Sequence, residues 1–178
     1  HYYNYWRDAE HPRGVWRRTT LESYRTDSPE WETVLDLDEL ALKEEENWVW
    51  HGSNCLPPEE NLCIIGLSRG GADADIKREF NVQTKSFVEN GFSLPEAKSR
   101  VSWVDEDHLI VGTDFGEGSL TDSGYPRTTR IWERGAPLSE AAVLLEGNKE
   151  DVSVGGYHTH TPGYERTIVY QGLTFYTN

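Results

Sequence analysis

Methionine is missing from this chain altogether, cysteine occurs only twice, and Lys and Arg are outnumbered 17 to 31 by Asp and Glu. A chain without an initiator residue reads as an excised segment or a processed product, so His1 is set aside from fold reasoning. The two cysteines, Cys55 and Cys63, have neither CxxC spacing nor the density of a disulfide framework, so reduced core thiols in a cytoplasmic protein are expected. The net charge of −14 excludes phosphate-backbone binding, which needs clustered cations, and nucleic acid is not an expected partner. The acid gathers in residues 36–46 and 105–117, where solvated surface is expected. No apolar run nears the roughly 20 residues of a membrane span, so no membrane partner is expected. Helical signal is scarce too: residues 38–46 carry convincing helix formers, with single turns at 94–98 and 138–142. No cofactor motif is legible, and none is expected.

What is present is β-type sequence. Aromatic or β-branched runs of strand length occur at residues 2–6, 15–21, 31–37, 48–51, 62–67, 76–80, 86–88, 101–104, 108–113, 128–133, 142–145 and 167–176. Turn residues separate them, as at Arg69-Gly70-Gly71, Glu89-Asn90-Gly91 and Arg134-Gly135. These runs also repeat. Cys63-Ile64-Ile65-Gly66 aligns with Leu109-Ile110-Val111-Gly112, Arg78-Glu79-Phe80 with Arg130-Ile131-Trp132, and Phe87-Val88 with Val143-Leu144. The spacing widens from 46 to 52 to 56 residues, which places insertions at 116–124 and 136–140, and residues 31–35 read as the same outer strand one unit earlier. The period predicts an all-β fold, a partial β-propeller of about three to four blades, each an antiparallel sheet of about four strands. A sandwich with similar hairpins is the competing architecture. An incomplete ring has open sheet edges, which could self-associate.

Specific strings add a resemblance. His11-Pro12-Arg13-Gly14-Val15-Trp16-Arg17-Arg18-Thr19-Thr20, Asn47-Trp48-Val49-Trp50, Leu67-Ser68-Arg69-Gly70-Gly71-Ala72-Asp73-Ala74, Lys98-Ser99-Arg100-Val101-Ser102-Trp103 and the stretch from Val111 to Arg127 resemble the propeller of bacterial prolyl oligopeptidase-family serine peptidases. The likeness runs from about residue 5 to residue 146 and more weakly onward. It implies a propeller that caps an α/β-hydrolase domain and restricts access to short peptides. The catalytic triad belongs to that domain, which is not recognisable here. The implied partners are the hydrolase domain of the parent chain and the parent's peptide substrates, and no catalytic residue is expected in this segment.

Several motifs carry competing readings. Gly66-Leu67-Ser68-Arg69-Gly70 fits the nucleophile-elbow pattern, and acidic residues and then His158 or His160 follow in triad order. An elbow needs a parallel strand before the serine and a helix after it, whereas Ser68 leads into β-like sequence, so a hairpin turn is expected. A small hydrolase using Ser68 is the alternative. His158-Thr159-His160 could offer two imidazoles to a metal, but its Gly and Pro neighbours read as an exposed loop, and no metal site is expected. Trp31, Trp48, Trp103 and Trp132 recur at blade spacing and are expected in the core, while Trp6 and Trp16 stay open. Exposed aromatics could instead make a free-standing propeller module that binds peptides or glycans. The long loop 112–127 is the expected place for functional contact, with Asp122, Tyr125 and Arg127 as candidates to face another domain or substrate; plain surface exposure is the competing reading.

Overall fold

The computed structural model describes residues 1–176. It divides into two compact units, one of His1–His51 with Leu67–Ala72, the other of Gly52–Gly66 with the chain from Asp73 onward.

Unit 1 is built on a sheet of order β1-β2-β3, comprising β1 (Tyr2–Trp6), β2 (Val15–Thr19) and β3 (Glu32–Asp36). Both pairings are antiparallel, with Tyr5 opposite Trp16 and Val15 opposite Asp36. Side chains alternate faces along a strand, and on one face Tyr5 stacks on Trp50 at 5.1 Å and Tyr3 on Trp16 at 5.3 Å. Gly14 must be glycine: its φ is +107°, and a Cβ there would lie 2.7 Å from the Tyr5 ring. A short helix α1 (Leu21–Tyr24) precedes β3, and α2 (Leu37–Glu44) follows it. The helix expected at 38–46 starts and stops slightly earlier because of its caps. Asp36 accepts from the amides of Asp38 and Glu39, and Glu45 turns left-handed at φ 53°. Leu37, Leu40 and Ala41 are buried along α2.

The boundary between units falls within β4 (Trp48–Cys55) and β5 (Leu62–Arg69). These join β6 (Asp75–Asn81) and β7 (Ser86–Phe87) in the order β4-β5-β6-β7, with β8 (Ser93–Ala97) also pairing β6. The next sheet is β9 (Arg100–Asp105), β10 (His108–Gly112), β11 (Thr128–Glu133) and β12 (Ala142–Glu146), in the spatial order β12-β11-β10-β9. Last come β13 (Ser153–Thr159) and β14 (Arg166–Gly172), an antiparallel pair. The repeat read from sequence is this succession: β5 and β10, β6 and β11, and β7 and β12 hold equivalent places in consecutive antiparallel sheets. The fold is a partial β-propeller. Among the described residues, no helix is long and apolar enough to cross a membrane.

Ile64, Phe92 and Leu94 pack against Trp103, Leu109, Val111 and Trp132 to form the core of unit 2. Phe92 meets Trp132 edge-on at 4.9 Å. Beside them Glu79, its side chain 1 % exposed, takes a bidentate pair from Arg134, with Nη1 to Oε2 at 2.8 Å and Nη2 to Oε1 at 3.0 Å. Glu79 Oε2 also accepts from the Phe92 amide at 2.8 Å. This hydrogen bonding holds the Arg134 guanidinium above its ordinary pKa.

Four expectations are corrected. Cys55 and Cys63 are not free thiols: β4 and β5 bring their Cα atoms to 3.9 Å, and the two sulfurs form a disulfide. Cross-strand register, which the spacing of the cysteines does not reveal, decides this. Residues 94–98 are not a helical turn, because Pro95 disfavours helical backbone at Leu94 and Leu94 pairs with Lys77 in β8. His158 and Thr159 lie on β13 rather than in a loop. Trp31 is only half-buried, with Arg17 over its ring at 4.5 Å, whereas Trp48, Trp103 and Trp132 are buried as expected. Of the open pair, Trp16 is buried and Trp6 is 44 % exposed.

Candidate functional site

The β10–β11 loop, residues 113–127, is sewn to the β12–β13 connection at one end of unit 2. The Asp122 amide donates to Lys149 O at 2.8 Å, the Val154 amide to Pro126 O at 2.8 Å and the Gly147 amide to Arg127 O at 2.9 Å. Thr121, 5 % exposed, adds a bond from its hydroxyl to Val152 O at 3.0 Å. Inside the loop, Asp114 accepts from the Gly116 amide at 2.8 Å and the Ser119 hydroxyl at 3.1 Å. Such bonds leave few orphaned polar groups in the long segment and hold one conformation.

The three predicted residues are brought together in this loop but do different work. Arg127 is an internal clamp: Nε donates to Gly118 O at 2.7 Å, Nη1 to Gly147 O at 2.9 Å, and Nη1 pairs with Glu146 at 2.7 Å. Tyr125 is half-buried and carries the Lys98 ammonium 5.0 Å from its ring centroid. Asp122 is exposed and, with Asp114, Glu117, Leu120 and Lys149, lines a shallow depression. Lys98 and Lys149 escaped the sequence reading because they lie outside the long loop. Their signal was their position next to β9 and β13, at the same end of the sheets.

Ser68 sits near the end of β5, fully buried, and its hydroxyl donates to Ala72 O at 2.8 Å. β5 continues into an antiparallel hairpin with β6, so the string lies in a turn, without the parallel strand and helix of an elbow. His158 Nδ1 bonds Thr167 Oγ1 at 3.0 Å, and His160 Nε2 bonds Trp103 O at 3.0 Å. Among the described residues, no group of three or more His, Cys, Asp or Glu side chains converges on a metal position.

Unit 1 carries a second surface. Tyr2 stacks on Tyr24 at 5.1 Å, Tyr24 meets Trp31 edge-on at 6.3 Å, and Arg17 lies between Trp31 and Trp6, 4.4 Å from the latter. The Trp6 indole donates to Asp8. The backbone amide of His11 and the Trp6 indole hold the Asp8 carboxyl down to about 2.

Successive antiparallel sheets in this order define a segment of a β-propeller. Residues 1–164 match the family described as prolyl oligopeptidase, N-terminal β-propeller domain, and the chain belongs to that family. An uncharacterized peptidase of Sinorhizobium fredii is 45 % identical over 175 residues, covering 97 % of this chain and 24 % of the relative. An uncharacterized peptidase of Rickettsia prowazekii is 36 % identical over 161 residues, covering 85 % of this chain and 22 % of the relative. Among solved structures, a post-proline cleaving enzyme from Rickettsia typhi superposes with a TM-score of 0.89 at 31 % identity, over 98 % of this chain and 27 % of that one. Oligopeptidase B from Leishmania major, at 14 % identity and a TM-score of 0.69, shares the fold. The chain thus spans about a quarter of the length of the relatives it matches.

Proposed function

We propose that this chain is the non-catalytic, access-restricting portion of a serine-type oligopeptidase, and that its braced loop end faces the catalytic α/β-hydrolase domain of the parent. The observation that carries the reading is the loop 113–127, which is fixed internally by Arg127 while Asp122 and Tyr125 stay available. A preorganised loop loses little conformational entropy on docking, which favours a permanent partner. Ser68 supports the same reading, since its buried hydroxyl is committed to Ala72 O. In the parent enzyme, Asp122→Lys combined with Tyr125→Ala should lower kcat/KM for short peptides about tenfold and raise hydrogen exchange across the loop. Unchanged activity and exchange would remove the loop from the interface.

The strip formed by Tyr2, Tyr24, Trp31, Arg17 and Trp6 favours a second reading, a binding module for peptides or glycans. Quenching of Trp6 fluorescence by a peptide or oligosaccharide added to the isolated chain would support it. The expected cytoplasmic location rested on free thiols at Cys55 and Cys63, which are instead bonded to each other.

A further inference from the structure

The first strands of the three successive sheets, β4, β9 and β13, are joined by side chains rather than by a continuous backbone ladder. In unit 2, Asn54 of β4 donates from Nδ2 to Val101 O at 3.1 Å and receives the Trp103 indole on its own carbonyl at 2.9 Å. On the other flank of β9, Ser102 Oγ accepts the His158 amide at 3.1 Å, and His160 Nε2 lies 3.0 Å from Trp103 O. A carbonyl only accepts, so His160 carries its proton on Nε2 in this bond. Arg100 Nη1 then donates to Tyr170 Oη at 2.6 Å. Two glycines leave room for these contacts: a Cβ on Gly156 would press on Ile110 of the neighbouring sheet at 3.1 Å, and one on Gly155 would lie 2.5 Å from Oη of its own cross-strand neighbour Tyr170, the partner of Arg100. Along β9, Val101 and Trp103 are tied to β4, Ser102 and Trp103 to β13 and the residue after it, and Arg100 to β14.

We infer that Asn54, Arg100, Ser102, His160 and Tyr170 form a lock that keeps β4, β9 and β13 together as one closed wall. The lock bars peptides from passing between these sheets, so the parent's selection against long substrates depends on it. This inference rests on the access-restricting reading above. The five residues act on the wall, as positioning residues. Neighbouring propeller sheets otherwise cohere mainly through apolar packing between their faces, which does not fix the first strands at their edges. Hydrogen bonds directed across the edges do so.

The test uses the full-length parent with the triple variant Ser102→Ala, His160→Ala and Tyr170→Phe. Three quantities are read: hydrogen exchange at the His158 amide, kcat/KM for a short fluorogenic peptide, and kcat/KM for a long unstructured peptide. The expected result is at least about tenfold faster exchange and an approximately tenfold rise in the long-to-short ratio, with short-peptide kcat/KM unchanged. Faster exchange with an unchanged ratio overturns the inference, and so does unchanged exchange. If the triple variant loses short-peptide activity, Tyr170→Phe alone provides the same comparison with a smaller perturbation. A wild-type parent that cleaves long and short peptides equally well would instead contradict the access-restricting reading itself. That outcome is visible before any variant is made.

Discussion

Unit 2 is held by a dense apolar core, with Trp103 and Leu109 essentially inaccessible and a buried carboxylate, Glu79, answered by both terminal guanidinium nitrogens of Arg134. Unit 1 leaves Tyr2, Trp6 and Tyr24 about half exposed and coheres through ring stacking around Tyr5, Trp16 and Trp50. The two regions share β-strand chemistry but differ in what a single side chain contributes. In unit 2 removing one group strands others in a low-dielectric interior; on the Tyr2, Trp6 and Tyr24 surface of unit 1 the neighbours of a removed ring already meet water. The comparison teaches that aromatic content says little about stability until burial is known.

The sharpest test of that contrast is Glu79→Ala. It takes the bidentate carboxylate from Arg134, which keeps Glu106 O and Asp107, leaves the buried Phe92 amide without its acceptor, and should cost about 3–5 kcal/mol, measured by urea unfolding. Trp103→Ala should cost a similar amount, about 3–5 kcal/mol, through the cavity it leaves. Trp6→Ala, by contrast, loses its contact with Arg17 and an exposed hydrogen bond to Asp8, on the order of 0.5–1 kcal/mol. Equal losses for the two tryptophans would break the comparison. Arg127→Ala falls between them: its bonds to Gly118 O and Gly147 O should be worth about 1.5–3 kcal/mol, with faster hydrogen exchange confined to residues 113–127.

A separate effect concerns alkaline pH. Burial pushes the Tyr5 hydroxyl up to about 12 from 10.0. Below pH 10 the hydroxyl is neutral whether unit 1 is folded or unfolded, so its contribution is intact there. As the pH climbs from 10 toward 12, only the unfolded chain ionises and stability falls. Absorbance titration at alkaline pH should therefore show one late-ionising tyrosine, absent in Tyr5→Phe.

Much of this was legible in the sequence. Strands β1 and β11 are bounded as their alternating residues predict, and the drifting repeat located equivalent strands because each sheet reuses the same apolar pattern. β8 and β13 were hidden by their punctuation: Pro95 and the pair Gly155-Gly156 mark turns in most contexts, yet here Pro95 sits in a strand and the glycines admit close neighbours. The Cys55–Cys63 bond and the Glu79–Arg134 pair were illegible because both depend on register or on packing between sheets. In the candidate site, Asp122, Tyr125 and Arg127 were singled out from loop length and residue type alone. That Arg127 faces inward followed only from the carbonyls it meets.

The role proposed for this chain is to shape access to a reaction carried out by a catalytic domain outside it. Treating the isolated chain and the full-length parent with a fluorophosphonate probe, followed by peptide mapping, tests it most directly. The account predicts an unlabelled chain and a parent labelled at one serine outside residues 1–178. An adduct on Ser68 in either protein would contradict it.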